Sequence, residues 1–114
     1  MKILSIVTIA PTTASQPPTQ KEMESMGSFI AEMRSNGVLI DTGGRTPNML
    51  ELRVARNNGN TTITDGPYTE AKEVVGGFAL LDVKDRDDAI AVTNRFLDLI
   101  GDGTCHLHEV DLSP

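Results

Sequence analysis

The chain is poor in the residues that staple or stiffen small folds. Its 114 residues include one cysteine, Cys105, no tryptophan, one tyrosine and three phenylalanines. A single thiol excludes an intramolecular disulfide and fits a reducing compartment, so a cytoplasmic location is expected. Basic residues are also scarce, 10 against 16 acidic, and the net charge of −6 argues against a nucleic-acid or anionic-membrane surface. Long apolar runs are missing. Ile3 to Ile9 is interrupted by Ser5 and Thr8, follows one positive charge, and is too short for a signal segment or a membrane span. Gly43-Gly44 and Gly76-Gly77 lack the spacing of a phosphate loop or a dinucleotide fingerprint, and no nucleophile–base constellation is visible. What is present, 39% hydrophobic and 23% charged residues, is ordinary for one soluble domain over 1–114 with its own core.

Ile3-Leu4-Ser5-Ile6-Val7-Thr8-Ile9 is apolar on both faces and reads as a central strand. Ala10 to Pro18 holds three prolines and predicts a loop. Thr19 opens a helix with Glu22 three residues on, as in a capping box, and Asn36-Gly37 ends it. Met23, Met26, Ile30 and Met33 share one face of that helix, with packing as the expected role. Val38-Leu39-Ile40 predicts a short strand stopped by Gly43-Gly44. Leu50, Leu52 and Val54 alternate with charged residues, and Asn58-Gly59 turns that strand back as a hairpin ending at Asp65.

Phe78 to Val83 is a further strand, with Ala79, Leu81 and Val83 on one face and Phe78 and Leu80 on the other. Asp85 caps a second helix with Asp88 suited to its dipole; Ala89, Val92, Phe96 and Ile100 face inward and Gly101 closes it. Thr104 to Leu112 is a last strand. The order is a ferredoxin-like βαββαβ fold of the α+β class with an inserted β-hairpin. Helices cover one face of such a sheet, and the apolar second face predicts pairing with another copy.

Asp65-Gly66-Pro67-Tyr68-Thr69-Glu70-Ala71-Lys72-Glu73, followed by Gly76-Gly77-Phe78, gathers four ionisable groups at a proline turn. Asp65 reads either as an Asx-turn carboxylate or as a general base, roles that are compatible. Thr69 to Glu73 is short enough for a turn and a half of helix stopped by Gly76, with Glu70 and Glu73 on one face. The candidate catalytic set is Asp65 as base, Lys72 as electrostatic partner and Glu70 or Glu73 orienting. Gly66, Pro67, Tyr68, Glu73, Gly76 and Gly77 are the candidate ligand contacts. His106 and His108 project from one face of the last strand while Cys105 and Glu109 project from the other. Two ligands do not make a zinc site, so a surface, interface or ligand role is expected for the pair, with no metal or cofactor.

Asp65-Gly66-Pro67-Tyr68, Glu70, Lys72-Glu73 and Gly76-Gly77-Phe78 together resemble the signature of the DGPF group of the YCII-related domain family, with Tyr68 in place of phenylalanine. The resemblance spans essentially the whole chain, including Gly37-Val38-Leu39-Ile40. It implies a ferredoxin-like fold dimerising through its sheets as an α+β barrel, with a cleft bordered by the motif. It also implies a small-molecule site and association with extracytoplasmic-function sigma factors. In the wider family a His–Asp pair has been proposed to be catalytic. That histidine would fall near Met26, and the chain has methionine there, so this catalytic pair does not carry over. Two functions are therefore expected as alternatives. One is an enzyme using carboxylate acid–base chemistry on a small molecule. The other is a non-catalytic binding or regulatory module.

Overall fold

The computed structural model describes residues 1–46, 48–66 and 72–113. Nine elements follow in order: β1 (Lys2–Ile9), α1 (Pro11–Ala14), α2 (Gln20–Ser35), β2 (Leu39–Gly44), β3 (Leu52–Asn57), β4 (Asn60–Asp65), β5 (Val74–Asp82), α3 (Arg86–Ile100) and β6 (Thr104–Glu109). The main sheet runs β2-β5-β1-β6, every neighbouring pair antiparallel, and β3-β4 forms a separate two-stranded sheet. Two interleaved βαβ units with an inserted hairpin give the expected ferredoxin-like α+β fold.

The local signals place most elements where the residue pattern put them. The Thr19 hydroxyl accepts from the Glu22 N–H at 3.1 Å and fixes the start of α2. Gly37 leaves that helix at φ 80°, where a side chain would be strained. Asp85 accepts from the Asp88 N–H at 2.9 Å, and Asp88 accepts in return from the Lys84 N–H at 3.0 Å. Asn58 and Gly59, at φ 52° and 80°, make the tight turn between β3 and β4.

Five boundaries differ from the sequence reading. Pro11 does not prevent helix but starts the single turn of α1, since a first-turn residue has no intrahelical use for its N–H. Strand β2 continues through Gly43-Gly44, and β5 begins at Val74. Gly76-Gly77 is therefore strand and not a helix stop. Leu50 precedes β3, and β6 ends at Glu109. The glycines remain in the ladder because two strands pass closely there. A Cβ on Gly77 would lie 2.6 Å from the Gly43 carbonyl oxygen, and one on Gly43 would lie 2.7 Å from the Phe78 ring.

Ile3, Leu81, Val83 and Ala89 form the buried core, with Leu39, Ala79, Val92 and Leu107 packed around it. They sit where β1 and β5 meet the start of α3. The opposite face of the sheet presents Leu4, Ile6 and Leu80 together with Phe78, which is 41% exposed. Lys2 and Asp82, paired across β1 and β5, are joined at 2.6 Å.

Candidate functional site

Away from that core the helices stand off the sheet. Between them lies a cavity of about 700 Å³, within the range of small-molecule sites. Its roof is the apolar stripe of α2, with Met23, Met26, Ile30 and Met33, and the inner side of α3, with Val92, Phe96 and Ile100. Its floor is the helix-facing side of β1, with Ser5, Val7 and Ile9, beside Cys105 and the nearly side-chain-free patch Gly43, Gly44, Gly76 and Gly77. The methionine stripe thus borders open space as well as packing. Met33 is 3% exposed at its inner end and Met23 is 52% exposed at the rim.

The lining is apolar with few polar groups. Glu22 is the one carboxylate among the described lining residues, and no Lys, Arg or His is among them. Ser5 is buried on the floor, and its hydroxyl hydrogen-bonds the Cys105 thiol, whose pKa burial raises despite that bond. The thiol is therefore held protonated at neutral pH. The roof is tied outside the cavity: Arg95 of α3 donates to both Glu32 oxygens of α2, at 2.6 and 3.0 Å, and stacks 5.2 Å from the Phe29 ring centre.

A second cluster occupies the other face of the sheet. The Thr8 hydroxyl donates to Glu73 at 2.8 Å and lies 3.2 Å from His106 Nε2. With Nε2 protonated, the hydroxyl accepts from the ring and links imidazole to carboxylate. Thr104 adds a longer contact to Glu73 at 3.5 Å. Strand pairing makes the cluster, since Thr8 lies opposite Thr104 and His106 sits two residues further along β6.

The model of the YCII-related domain matches residues 1–96. The chain belongs to the YCII-related domain family. No curated protein matches it. The match ends within α3, so β6 and both histidines of this YCII-related domain lie beyond the matched segment.

In this YCII-related domain the residues expected at the site are only partly assembled. Glu73 and His106 come together through Thr8. His108 lies further along the same strand, opposite Leu4. Asp65 is exposed at the last position of β4 and pairs with Leu52, and Lys72 is exposed. Among the described residues no ion pair joins Asp65 to Lys72. Glu70, Pro67 and Tyr68 lie outside the described residues, as does most of the turn-and-a-half of helix expected from Thr69 to Glu73. Gly66 has a structural role: its N–H donates to the Glu51 carbonyl at 2.8 Å, and a Cβ there would come within 2.9 Å of the Glu51 side chain.

Sequence reasoning missed Thr8, Ser5 and Glu22 as site residues. A signal existed for the first two, since both are hydroxyls interrupting an otherwise apolar central strand. In the sequence Glu22 carries only the signal of a capping residue. Among the described residues no group of three or more His, Cys, Asp or Glu side chains could hold a metal ion. No helix among them is long and apolar enough to cross a membrane.

Proposed function

We propose that this protein, as a DGPF-type member of its family, is a binding module that takes a small neutral or cationic apolar molecule between α2, α3 and the sheet. The cavity carries the reading. Burial among methionine and aliphatic side chains drives binding, and the adaptable thioethers tolerate more than one ligand shape. Glu22 at the α2 start, with no cationic residue among the described lining residues to offset it, favours an amine over a carboxylate. The Gly76-Gly77 floor follows closely on the Asp65–Glu73 motif, which keeps the site beside that motif. In this reading the module is cytoplasmic and pairs through its open sheet face. Association with an extracytoplasmic-function sigma factor, supported by the motif resemblance, would couple binding to regulation.

Calorimetric titration with decylamine, decanol and decanoate tests this. The amine and the alcohol bind, and decanoate binds at least roughly fivefold more weakly, the effect of about 1 kcal/mol between unit charges some 4 Å apart in water. Glu22→Gln removes the advantage of the amine over the alcohol. Failure of all three to bind at millimolar concentration would refute the reading.

The Glu73–Thr8–His106 link favours a second reading, an enzyme using carboxylate acid–base chemistry on the open sheet face, with Asp65 and Lys72 contributed by the motif. Its test is turnover by the wild type that Glu73→Gln abolishes without lowering the melting temperature.

A further inference from the structure

Among the described residues Ser5 is the one buried polar or charged side chain, at 5% exposure. It stands on the helix-facing side of β1, between Ile3, which belongs to the core, and Val7, which lines the cavity with it. A hydroxyl in such a place costs free energy unless its hydrogen-bonding capacity is used. Strand register sets Val7 opposite Cys105 and so puts the thiol diagonal to Ser5. That thiol is the partner of the hydroxyl, and no other is found among the described residues. Sulfur is a weak donor and a weak acceptor, so most of the capacity of the hydroxyl is left over. Thr42, across Ala79 from Ser5 on the same floor, differs: its hydroxyl donates to the Phe78 carbonyl at 2.8 Å.

We infer that Ser5 is the inner anchor of the cavity, and that the ligand carries a neutral oxygen, hydroxyl or carbonyl, at its buried end and an amine at its outer end. This rests on the reading of the cavity as a ligand site and narrows the ligand class from a simple amphiphile to a bifunctional chain. Burial and charge tell the two ends apart. Glu22 is exposed at the start of α2, where an ammonium can meet it and keep part of its water. Beside the core the described lining offers no carboxylate, so an ammonium there would lose its water without a counter-charge. A neutral oxygen at that end accepts from the Ser5 O–H and uses the capacity that the thiol leaves. Ser5 precedes Ile9, the outer end of β1, by four residues, about 13 Å along an extended strand. The apolar stretch between the two polar ends of the ligand is therefore a medium-length chain lying along the methionine stripe.

Calorimetric titration of wild type and Ser5→Ala with decylamine and with 10-aminodecan-1-ol tests the inference. Both ligands are expected to bind wild type. Ser5→Ala should weaken the amino alcohol about fivefold, the worth of one net hydrogen bond, and leave decylamine within about twofold. Ser5→Thr, which keeps the hydroxyl, should restore the preference. A second measurement needs wild type alone: the carbinol protons of the bound amino alcohol should show nuclear Overhauser contacts to the β-protons of Ser5 and Cys105. Equal weakening of both ligands by Ser5→Ala, or carbinol contacts only to Met23 at the rim, would overturn the anchor while the cavity reading stands. An unchanged ratio of the two affinities would do the same and would assign the hydroxyl to a held water. Failure of both ligands to bind wild type would remove the cavity reading itself and the anchor with it.

Discussion

Replacing Gly77 and Gly76 singly by alanine separates close backbone approach from a flexible or ligand-facing glycine pair. A methyl on Gly77 would stand 2.6 Å from the Gly43 carbonyl oxygen and 3.3 Å from the Gly44 Cα. Both atoms are backbone, so relief requires β2 to move away from β5. The nearest neighbour of a methyl on Gly76 would be the Ile9 side chain, at 3.1 and 3.3 Å from its Cδ1 and Cγ1, and a rotamer adjustment relieves that. Overpacking against fixed atoms costs about 1–3 kcal/mol, offset by about 0.4–1 kcal/mol from the lower entropy of the unfolded alanine chain. At an unfolding entropy of about 2.1 cal/mol/K per residue, each kcal/mol shifts the melting temperature of this chain by about 4 °C. Gly77→Ala should therefore melt about 5 °C below wild type, and Gly76→Ala within about 4 °C of it. Thermal unfolding followed by circular dichroism reads both. Equal melting temperatures would refute the reasoning, because the β2–β5 approach would then not be what requires glycine.

The Glu32–Arg95 bridge gives a pH signature. Hydrogen bonding to Arg95 holds the Glu32 pKa below its ordinary 4.5, so its stabilisation is present above that value and fades as pH falls through the lower folded value. Arg95→Ala should remove that part of the acid dependence in denaturant unfolding, whereas an unchanged profile would assign it elsewhere. Lys2 acts likewise on Asp82, lowering it from 3.8, so Lys2→Met should flatten the profile in the same acid region. Thr8→Val should change the ring-nitrogen shifts of His106 while leaving those of His108, since the bridging hydroxyl contacts His106 Nε2 at 3.2 Å. Stability should fall by no more than about 1 kcal/mol for so exposed a bond, and unchanged His106 shifts would show that the link does not form.

Much of the fold was legible because its signals are local. Thr19 and Asp85 cap helices by short-range hydrogen bonding, Asn58-Gly59 turns a hairpin through backbone freedom, and the alternation from Phe78 to Val83 sorts two faces of a strand. Gly43-Gly44 misled because glycine weakens an isolated strand, and its benefit appears only when a second strand with its own glycine lies alongside. The Glu73–Thr8–His106 cluster joins residues 65 and 98 positions apart, so it depends on strand register. Identifying the motif could not supply His106 as a partner for Glu73. The cavity was hidden for a different reason. Periodicity shows that Met23, Met26 and Met33 face inward, but not whether the opposing layer reaches them.

The central claim is that the space beneath those methionines receives a ligand, and methyl-labelled methionine provides a direct reading of it. The five residues divide cleanly: Met23, Met26 and Met33 line the cavity, while Met1 and Met49 are exposed elsewhere. On titration with decylamine, the three cavity methyl resonances should shift together and saturate, with Met1 and Met49 unmoved. Equal small shifts at all five, or no saturable shift at Met26 and Met33, would contradict the account.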